Sequence, residues 1–265
     1  MRGYAASVHD REVFGPDAET LPHARAAIAG ARRVVVLTGA GMGAESGIPT
    51  FRDALTGLWS RFDPHELASV EGFRADPQRV WDWYAERGEG VRRAHPNAGH
   101  EALAAWARTH PGRMCVVTQN VDDLHQRAGQ PDVLRLHGDI LGRRWLDEGR
   151  CRERTPCDIT AAEPGRPPRC ARCGNLVRPG VVWFGEALPA AALDRAQQVA
   201  GACEAMLVVG TSGAVWPAAG LAGLARRAGA TVVIVNPQES EIDAQAHVRL
   251  RGTAAQVLPA LLART

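Results

Sequence analysis

Six short runs of β-branched and aliphatic residues are spaced along this 265-residue chain, and each breaks off into glycine or polar residues. They read RRVVVLTG (32–39), MCVVTQN (114–120), DVLRLHG (132–138), GVVWFGE (180–186), AMLVVGT (205–211) and TVVIVN (231–236). Short, continuously apolar runs are the pattern of strands buried on both faces. Ala-rich helical patterns stand between several of them: HEALAAWARTH, PAAALDRAQQVAGA and PAAGLAGLARRAG. LPHARAAIAGA precedes the first run, and TAAQVLPALLAR closes the chain with Pro259 as a kink point. Strand alternating with helix predicts an α/β fold, an open parallel sheet covered on both faces.

The run ends carry as much information as the runs. Thr38-Gly39-Ala40-Gly41, Gln119-Asn120-Val121-Asp122, His137-Gly138, Gly210-Thr211-Ser212 and Asn236-Pro237-Gln238 each follow an apolar run. In open α/β sheets ligands bind outside the carboxyl ends of the strands. Any one of these loops is explained by ordinary turn chemistry, but five together place ligand-type residues along one edge.

Two segments interrupt the rhythm. Residues about 55–95 carry Trp59, Phe62, Phe73, Trp81, Trp83 and Tyr84 at helical spacing, which predicts a small helical insert. Residues about 139–179 are rich in Arg, Pro and Cys with little hydrophobic periodicity, so a metal staple would serve where a core cannot form. Residues 1–20 read as an irregular arm, and 21–265 as one catalytic-sized domain holding both inserts as a small module. Apolar residues make up 45% of the chain, enough for a sizeable core. The net charge is +2, with 31 basic against 29 acidic residues, so nothing global points to nucleic acid. The N-terminus lacks the apolar stretch of a secretory signal, and no run approaches the roughly 18 apolar residues of a membrane span. A cytoplasmic protein is expected. Four of the six cysteines, Cys151, Cys157, Cys170 and Cys173, fall in one short segment, which suggests metal before disulfide; Cys115 and Cys203 read as inert buried thiols.

GAGMGA, residues 39–44, fits the G-x-G-x-x-G/A fingerprint directly after a strand. Small residues let backbone N–H groups approach a pyrophosphate. A hydride-transferring enzyme would continue into a helix, a second strand and an acidic residue about 20 positions on. Here Gly47 and Pro49 cut the helix short, and Asp63 follows no strand. The loop predicts a Rossmann-like dinucleotide site without the hydride-transfer arrangement.

GAGMGAESGIPTFRD, TQNVDDLHQRAG, LHG, CARC, VVWFGE, GTS and VNPQ, in that order across roughly residues 30–260, resemble the signature blocks of the sirtuins, NAD-dependent protein lysine deacylases. The resemblance implies that NAD is consumed. The acyl oxygen of an acyl-lysine attacks the nicotinamide ribose, nicotinamide leaves, and the acyl group ends on ADP-ribose. A short, Gly/Pro-broken loop that closes over the nicotinamide suits that chemistry. Alternatives are protein ADP-ribosyl transfer, NAD hydrolysis, or a non-catalytic NAD-sensing module.

The same resemblance assigns roles. Gly39, Ala40, Gly41, Ala44 and Pro49 belong to the phosphate-approaching loop. Phe51 would shield the reactive ribose carbon and Arg52 would pair with phosphate, where plain packing and a solvated charge are the bland readings. His137 would be the general base acting on a ribose hydroxyl. Gln119, Asn120 and Asp122 would hold nicotinamide and ribose, with Asn120 and Asp122 joining the catalytic set. Gly210, Thr211, Ser212, Asn236, Pro237, Gln238 and the backbone near Ala254 would hold the adenosine half. Val182, Trp183, Phe184, Gly185 and Glu186 resemble the edge where a substrate peptide adds as a strand; a plain core strand is the alternative. Tyr84 and Arg87, three apart on one helix face, resemble the Tyr-x-x-Arg pair that reads the acyl carboxylate in desuccinylase- and demalonylase-like members; a surface aromatic–cation stack is the alternative.

Cys170-x-x-Cys173 is a good zinc half-site. The first pair departs from the family pattern: Trp145 stands where its first cysteine is expected, and Cys151 and Cys157 come later with five residues between them. One structural zinc on four thiolates is expected, an incomplete or absent site being the alternative. Acyl-lysine proteins are the expected partners of a monomer with no nucleic-acid or membrane role.

Overall fold

Val34–Thr38 (β1) forms the centre of a six-stranded parallel sheet in the order β3-β2-β1-β6-β7-β8. The computed structural model describes residues 20–49, 64–150 and 157–263. Its other sheet strands are Met114–Thr118 (β2), Val133–Arg135 (β3), Ala205–Val209 (β6), Thr231–Val235 (β7) and Val248–Leu250 (β8). Register runs in parallel from Val34 opposite both Met114 and Ala205 to Thr38 opposite Thr118 and Val209. All five residues of β1, β2 and β6 are buried, which explains their uninterrupted apolarity. Alternate residues then face two cores. Val34 and Val36 pack with Thr20–Gly30 (α1), Ala98–Thr109 (α5) and Ala254–Leu262 (α9). Val35 and Leu37 pack with Ala190–Ala202 (α7) and Gly220–Arg227 (α8).

The expected insert is helical over its described part, residues 64–93, while Trp59 and Phe62 lie outside the described residues. Pro64–Leu67 (α2), Val70–Ala75 (α3) and Pro77–Arg93 (α4) precede α5, with Ser69 and Asp76 as side-chain caps on α3 and α4. They share an aromatic core, Phe73, Trp83, Tyr84 and Trp183, with a two-stranded antiparallel ribbon, Gly138–Trp145 (β4) and Val177–Val181 (β5). Between β2 and β3 lies one short helix, Leu124–Arg127 (α6).

One expectation changes. GVVWFGE is not a strand of the parallel sheet: its first residues end β5 of the ribbon, and Phe184 makes one isolated bridge to Ser69. An antiparallel partner at β4 captures those residues, a pairing that apolarity does not encode. The strand β8 has no run of its own in the list above, because its edge position leaves only Leu250 buried. Pro259 lies inside α9, and Thr253 and Gln256 form a capping box at the N-terminus of that helix. Residues 1–19 of the expected arm lie outside the described residues, and Thr20 opens α1.

Gly210 holds the seam between β1 and β6. Its φ is +61°, and a Cβ there would come 2.5 Å from the Met42 backbone nitrogen. Gly210→Ala is expected to lower the unfolding free energy by about 2 kcal/mol or more, from strain and backbone clash together. Urea denaturation measures it, and an unchanged midpoint would contradict this account.

Candidate active site

All five loops expected at one edge follow the carboxyl ends of parallel strands: β1, β2, β3, β6 and β7. The loop after β1 folds into two 3₁₀ turns, Ala40–Met42 and Ala44–Ser46, not a long helix. Its glycines permit a close crossing. Gly41 donates its N–H to the Gly210 carbonyl at 2.8 Å, and a Cβ on Gly39 would meet Thr211 at 2.7 Å. Ala40, Ala44 and Pro49 are exposed on this loop. Phe51 and Arg52 lie outside the described residues.

Hydrogen bonds run along the edge from strand to strand. The His137 ring bonds the Gln119 carbonyl through Nδ1 at 2.9 Å. A carbonyl only accepts, so Nδ1 carries the proton and Nε2 of the neutral ring keeps its lone pair. Burial holds the imidazole below its ordinary pKa, partly offset by that bond. The Gln119 side-chain amide donates to Thr211 Oγ1 at 3.1 Å, and Asn236 donates to the Thr211 carbonyl at 3.3 Å. Asn120 is buried, with its N–H on Thr118 Oγ1 at 3.0 Å. Asp122 Oδ1 accepts the Leu124 N–H, and its Oδ2 would lie 3.9 Å from a Cβ on Gly43. Burial pushes the Asp122 carboxyl above its usual range. Ser212 is half-buried, its carbonyl taking the Glu241 N–H; Pro237 and Gln238 are exposed beyond β7. Ala254 sits against α5, where a Cβ on Gly99 would come 2.9 Å from its carbonyl. Near it, Glu45 accepts the Ala255 N–H and fastens the glycine loop to the start of α9.

The segment after β5 adjoins this edge. Val182 donates its N–H to the His137 carbonyl at 2.8 Å, and Phe184 donates to Ala68 at 2.9 Å. Phe184 is 42% exposed beside it. Gly185 takes φ +82° in the turn that brings Glu186 back. Both Glu186 oxygens are engaged: Arg178 forks onto them at 2.6 and 2.9 Å, and the Trp183 N–H adds 2.8 Å. Arg178 is fully buried, with its guanidinium 3.4 Å over the Trp183 ring. This clamp escaped the sequence reading, because Arg178 stands among strand residues with no motif around it. Hydrogen bonds and the Arg178 charge hold the Glu186 carboxyl below its usual range against burial.

Tyr84 and Arg87 lie on α4 as expected. The Tyr84 hydroxyl accepts the Trp183 indole N–H at 2.9 Å, one residue from the Val182 contact to His137. Burial pushes its pKa up to about 12. The Arg87 guanidinium stacks 4.4 Å over Trp83, an aromatic–cation contact on the same helix.

Cys157, Cys170 and Cys173 converge, their sulfurs all within 4.8 Å of one another, 3.2 Å from 157 to 170 and 3.8 Å from 157 to 173. Tetrahedral thiolates about 2.3 Å from zinc stand about 3.8 Å apart, so the cluster has the size of three corners of a zinc site. Cys157 is in a disulfide here, so loading requires the reduced chain. Cys151 lies outside the described residues. Trp145 donates its indole N–H to the Cys157 carbonyl at 3.2 Å, packing against the cluster where the family pattern sets a ligand. Cys115 and Cys203 are buried thiols pushed up to about 12 and about 11 by burial.

A glycine loop at the seam of a doubly wound sheet, with an imidazole two strands along the same edge, is the arrangement of a dinucleotide-binding α/β protein. Residues 39–217 match the Sir2 family, and the chain belongs to it. It is 54% identical over 247 residues, 93% of this chain and 98% of the relative, to an NAD-dependent protein deacylase of Ralstonia nicotianae. Among solved structures it resembles a Sir2 homolog–NAD complex, with TM-score 0.81, 41% identity and 96% of each chain covered. It also resembles Sir2Tm bound to a propionylated peptide, with TM-score 0.75, 31% identity, 90% of this chain and 95% of that one. Among the described residues no helix is long and apolar enough to cross a membrane.

Glu186→Ala is expected to destabilise the fold by about 3 kcal/mol or more, because it strands the buried Arg178 charge; the urea midpoint reads it. Stripping metal from the reduced protein with a strong chelator is expected to lower Tm and to release about one zinc per chain. A Tm that does not move would remove the metal from the fold.

Proposed function

We propose that this chain is an NAD-consuming protein lysine deacylase, which moves the acyl group onto ADP-ribose and releases nicotinamide. The observation that carries the reading is His137. Its Nδ1 is occupied by the Gln119 carbonyl, so Nε2 presents a lone pair at the edge where the glycine loop crosses Gly210. In this reading the glycine loop takes the pyrophosphate on its backbone, and Thr211, Ser212 and Asn236 hold the adenosine half. Gln119, Asn120 and Asp122 orient nicotinamide and ribose. Nε2 of His137 takes the proton of a ribose hydroxyl, whose oxygen then attacks the acyl carbon. Val182 and Phe184 flank the strand the acyl-lysine peptide would join. Cys157, Cys170 and Cys173, with Cys151 as fourth ligand, hold a zinc that ties down the small module; a four-thiolate ion has no open position for chemistry.

Mass analysis of products tests this reading. Deacylation yields O-acyl-ADP-ribose, hydrolysis yields free ADP-ribose, and a sensor yields neither. The base must be neutral to act. A histidine pKa held below its ordinary 6.5 keeps activity at neutral pH, and activity is lost as pH falls through that lowered value. The acid limb of kcat/KM is therefore expected below pH 6.5, and His137→Tyr should not turn over. A limb at or above pH 7 would contradict the assignment.

Tyr84 and Arg87 support a preference for short acidic acyl groups. A neutral phenol and a guanidinium share one helix face, and the phenol bonds Trp183 in the peptide-edge segment. Arg87→Met is expected to reduce turnover of succinyl-lysine at least about tenfold more than that of acetyl-lysine, consistent with a charge-assisted bond worth roughly 1.5–3 kcal/mol. Equal losses on the two peptides would remove the carboxylate-reading role.

A further inference from the structure

Two histidines outside the proposed catalytic set are sealed in the protein. His100 on α5 is fully buried, His125 on α6 is 2% exposed, and their ring centroids stand 4.8 Å apart, edge to face. His100 Nε2 and His125 Nδ1 are buried and have no hydrogen-bond partner among the described residues. Two orphaned ring nitrogens side by side would be costly unless they serve each other.

Their tautomers follow from the neighbours. The Asn97 backbone N–H donates to His100 Nδ1 at 3.3 Å, closing the capping box of α5. An N–H only donates, so the neutral ring carries its proton on Nε2, where it lacks an acceptor. Thr38 gives its own hydroxyl proton to Thr118, so in its contact with His125 it accepts; the Nδ1 of His125 that stands beside His100 is then unprotonated, and the ring proton sits on Nε2. That nitrogen lies 3.2 Å from Thr38 Oγ1. Thr38 in turn donates to Thr118 Oγ1 at 2.8 Å, and the same oxygen accepts the Asn120 N–H. The opposite polarity would set two N–H groups against each other between the rings. Burial pushes the two imidazoles down to about 4 and about 3, so both are neutral at physiological pH.

We propose that His100 and His125 are positioning residues, joined with Thr38 in a one-way hydrogen-bond relay from the Asn97 cap to Thr118 Oγ1, the oxygen on which the Asn120 N–H also converges. Both ends of this relay meet the candidate site. The Asn97 side-chain amide donates to the Met42 carbonyl at 2.9 Å and to Ser46 Oγ at 3.1 Å, inside the glycine loop. Asn120 lies in the Gln119–Asp122 loop on the other side. The relay thereby fixes the spacing of the two loops between which the dinucleotide would lie. Displacements of about 1 Å at such a site cost up to about a hundredfold in rate. The kinetic part of this inference rests on the deacylase reading above.

Substitutions at Thr38 separate a relay from mere packing. Thr38→Val keeps the buried volume and deletes the hydroxyl; Thr38→Ser keeps the hydroxyl and leaves a methyl-sized gap. The relay predicts that Thr38→Val lowers kcat at least about tenfold, while Thr38→Ser stays within about threefold of the unaltered protein. A packing role predicts the reverse ranking, and valine equal to or faster than serine overturns the proposal. Long-range ¹⁵N–¹H spectra of the unaltered protein at pH 7 give a readout independent of turnover. Both rings should be neutral with the proton on Nε2, and an Nδ1-protonated or charged ring at either position overturns the relay. If the unaltered protein produces no O-acyl-ADP-ribose while the tautomers hold, the functional reading fails and the relay stands.

Discussion

The N–H of Gly41 on the carbonyl of Gly210 closes the seam between β1 and β6, and the candidate site is assembled around that contact. Parallel register brings the strand ends level, so Thr38, Thr118 and Val209 lie side by side. Only residues without a Cβ let the two loops cross at this distance. Along the edge beside the crossing, the His137 ring is tied to the Gln119 carbonyl and the Gln119 side chain to Thr211.

Low dielectric shapes both halves of the molecule, in opposite ways. Beneath the sheet edge, burial keeps His137, His100 and His125 neutral, so the polar groups there work as hydrogen-bonding elements and not as charges. Under the peptide-edge segment the charge is retained, because Arg178 is fully buried but has Glu186, the Val181 carbonyl and the Trp183 ring around it. Such a pair adds little net stability, but losing one partner is costly. Its effect is to hold Trp183 and the turn at Gly185 in one position, and Trp183 in turn holds Tyr84. The cluster of Cys157, Cys170 and Cys173 lies at the far end of the ribbon, where Cys170 and Cys173 follow a stretch with little apolar content.

Much of the architecture was legible in the residues. Strands at Val34–Thr38, Met114–Thr118, Ala205–Val209 and Thr231–Val235 announce themselves because both faces are buried, which forces every position apolar. The edge strand Val248–Leu250 does not, and the run 180–186 was assigned to the wrong sheet, since strand partnering depends on contacts distant in sequence. The loops of the candidate site could be read from their glycines and amides. Arg178 could not, because a lone arginine in a strand gives no sign of whether it faces water or an acidic partner eight residues on.

What the sequence determined by itself is the alternation of buried strand and amphipathic helix, and the glycines at the crossing, because burial and steric exclusion act on each residue where it stands. Tertiary structure alone decided which nitrogen of each histidine carries the proton. His137, His100 and His125 are the same residue type, yet the Gln119 carbonyl sets the proton of His137 on Nδ1, whereas the contacts to Asn97 and Thr38 set those of His100 and His125 on Nε2. A hydrogen bond's direction is a property of two groups brought together; the His100 pair forms within one helix cap, but the His137–Gln119 and His125–Thr38 pairs are assembled only when separate strands and helices pack side by side.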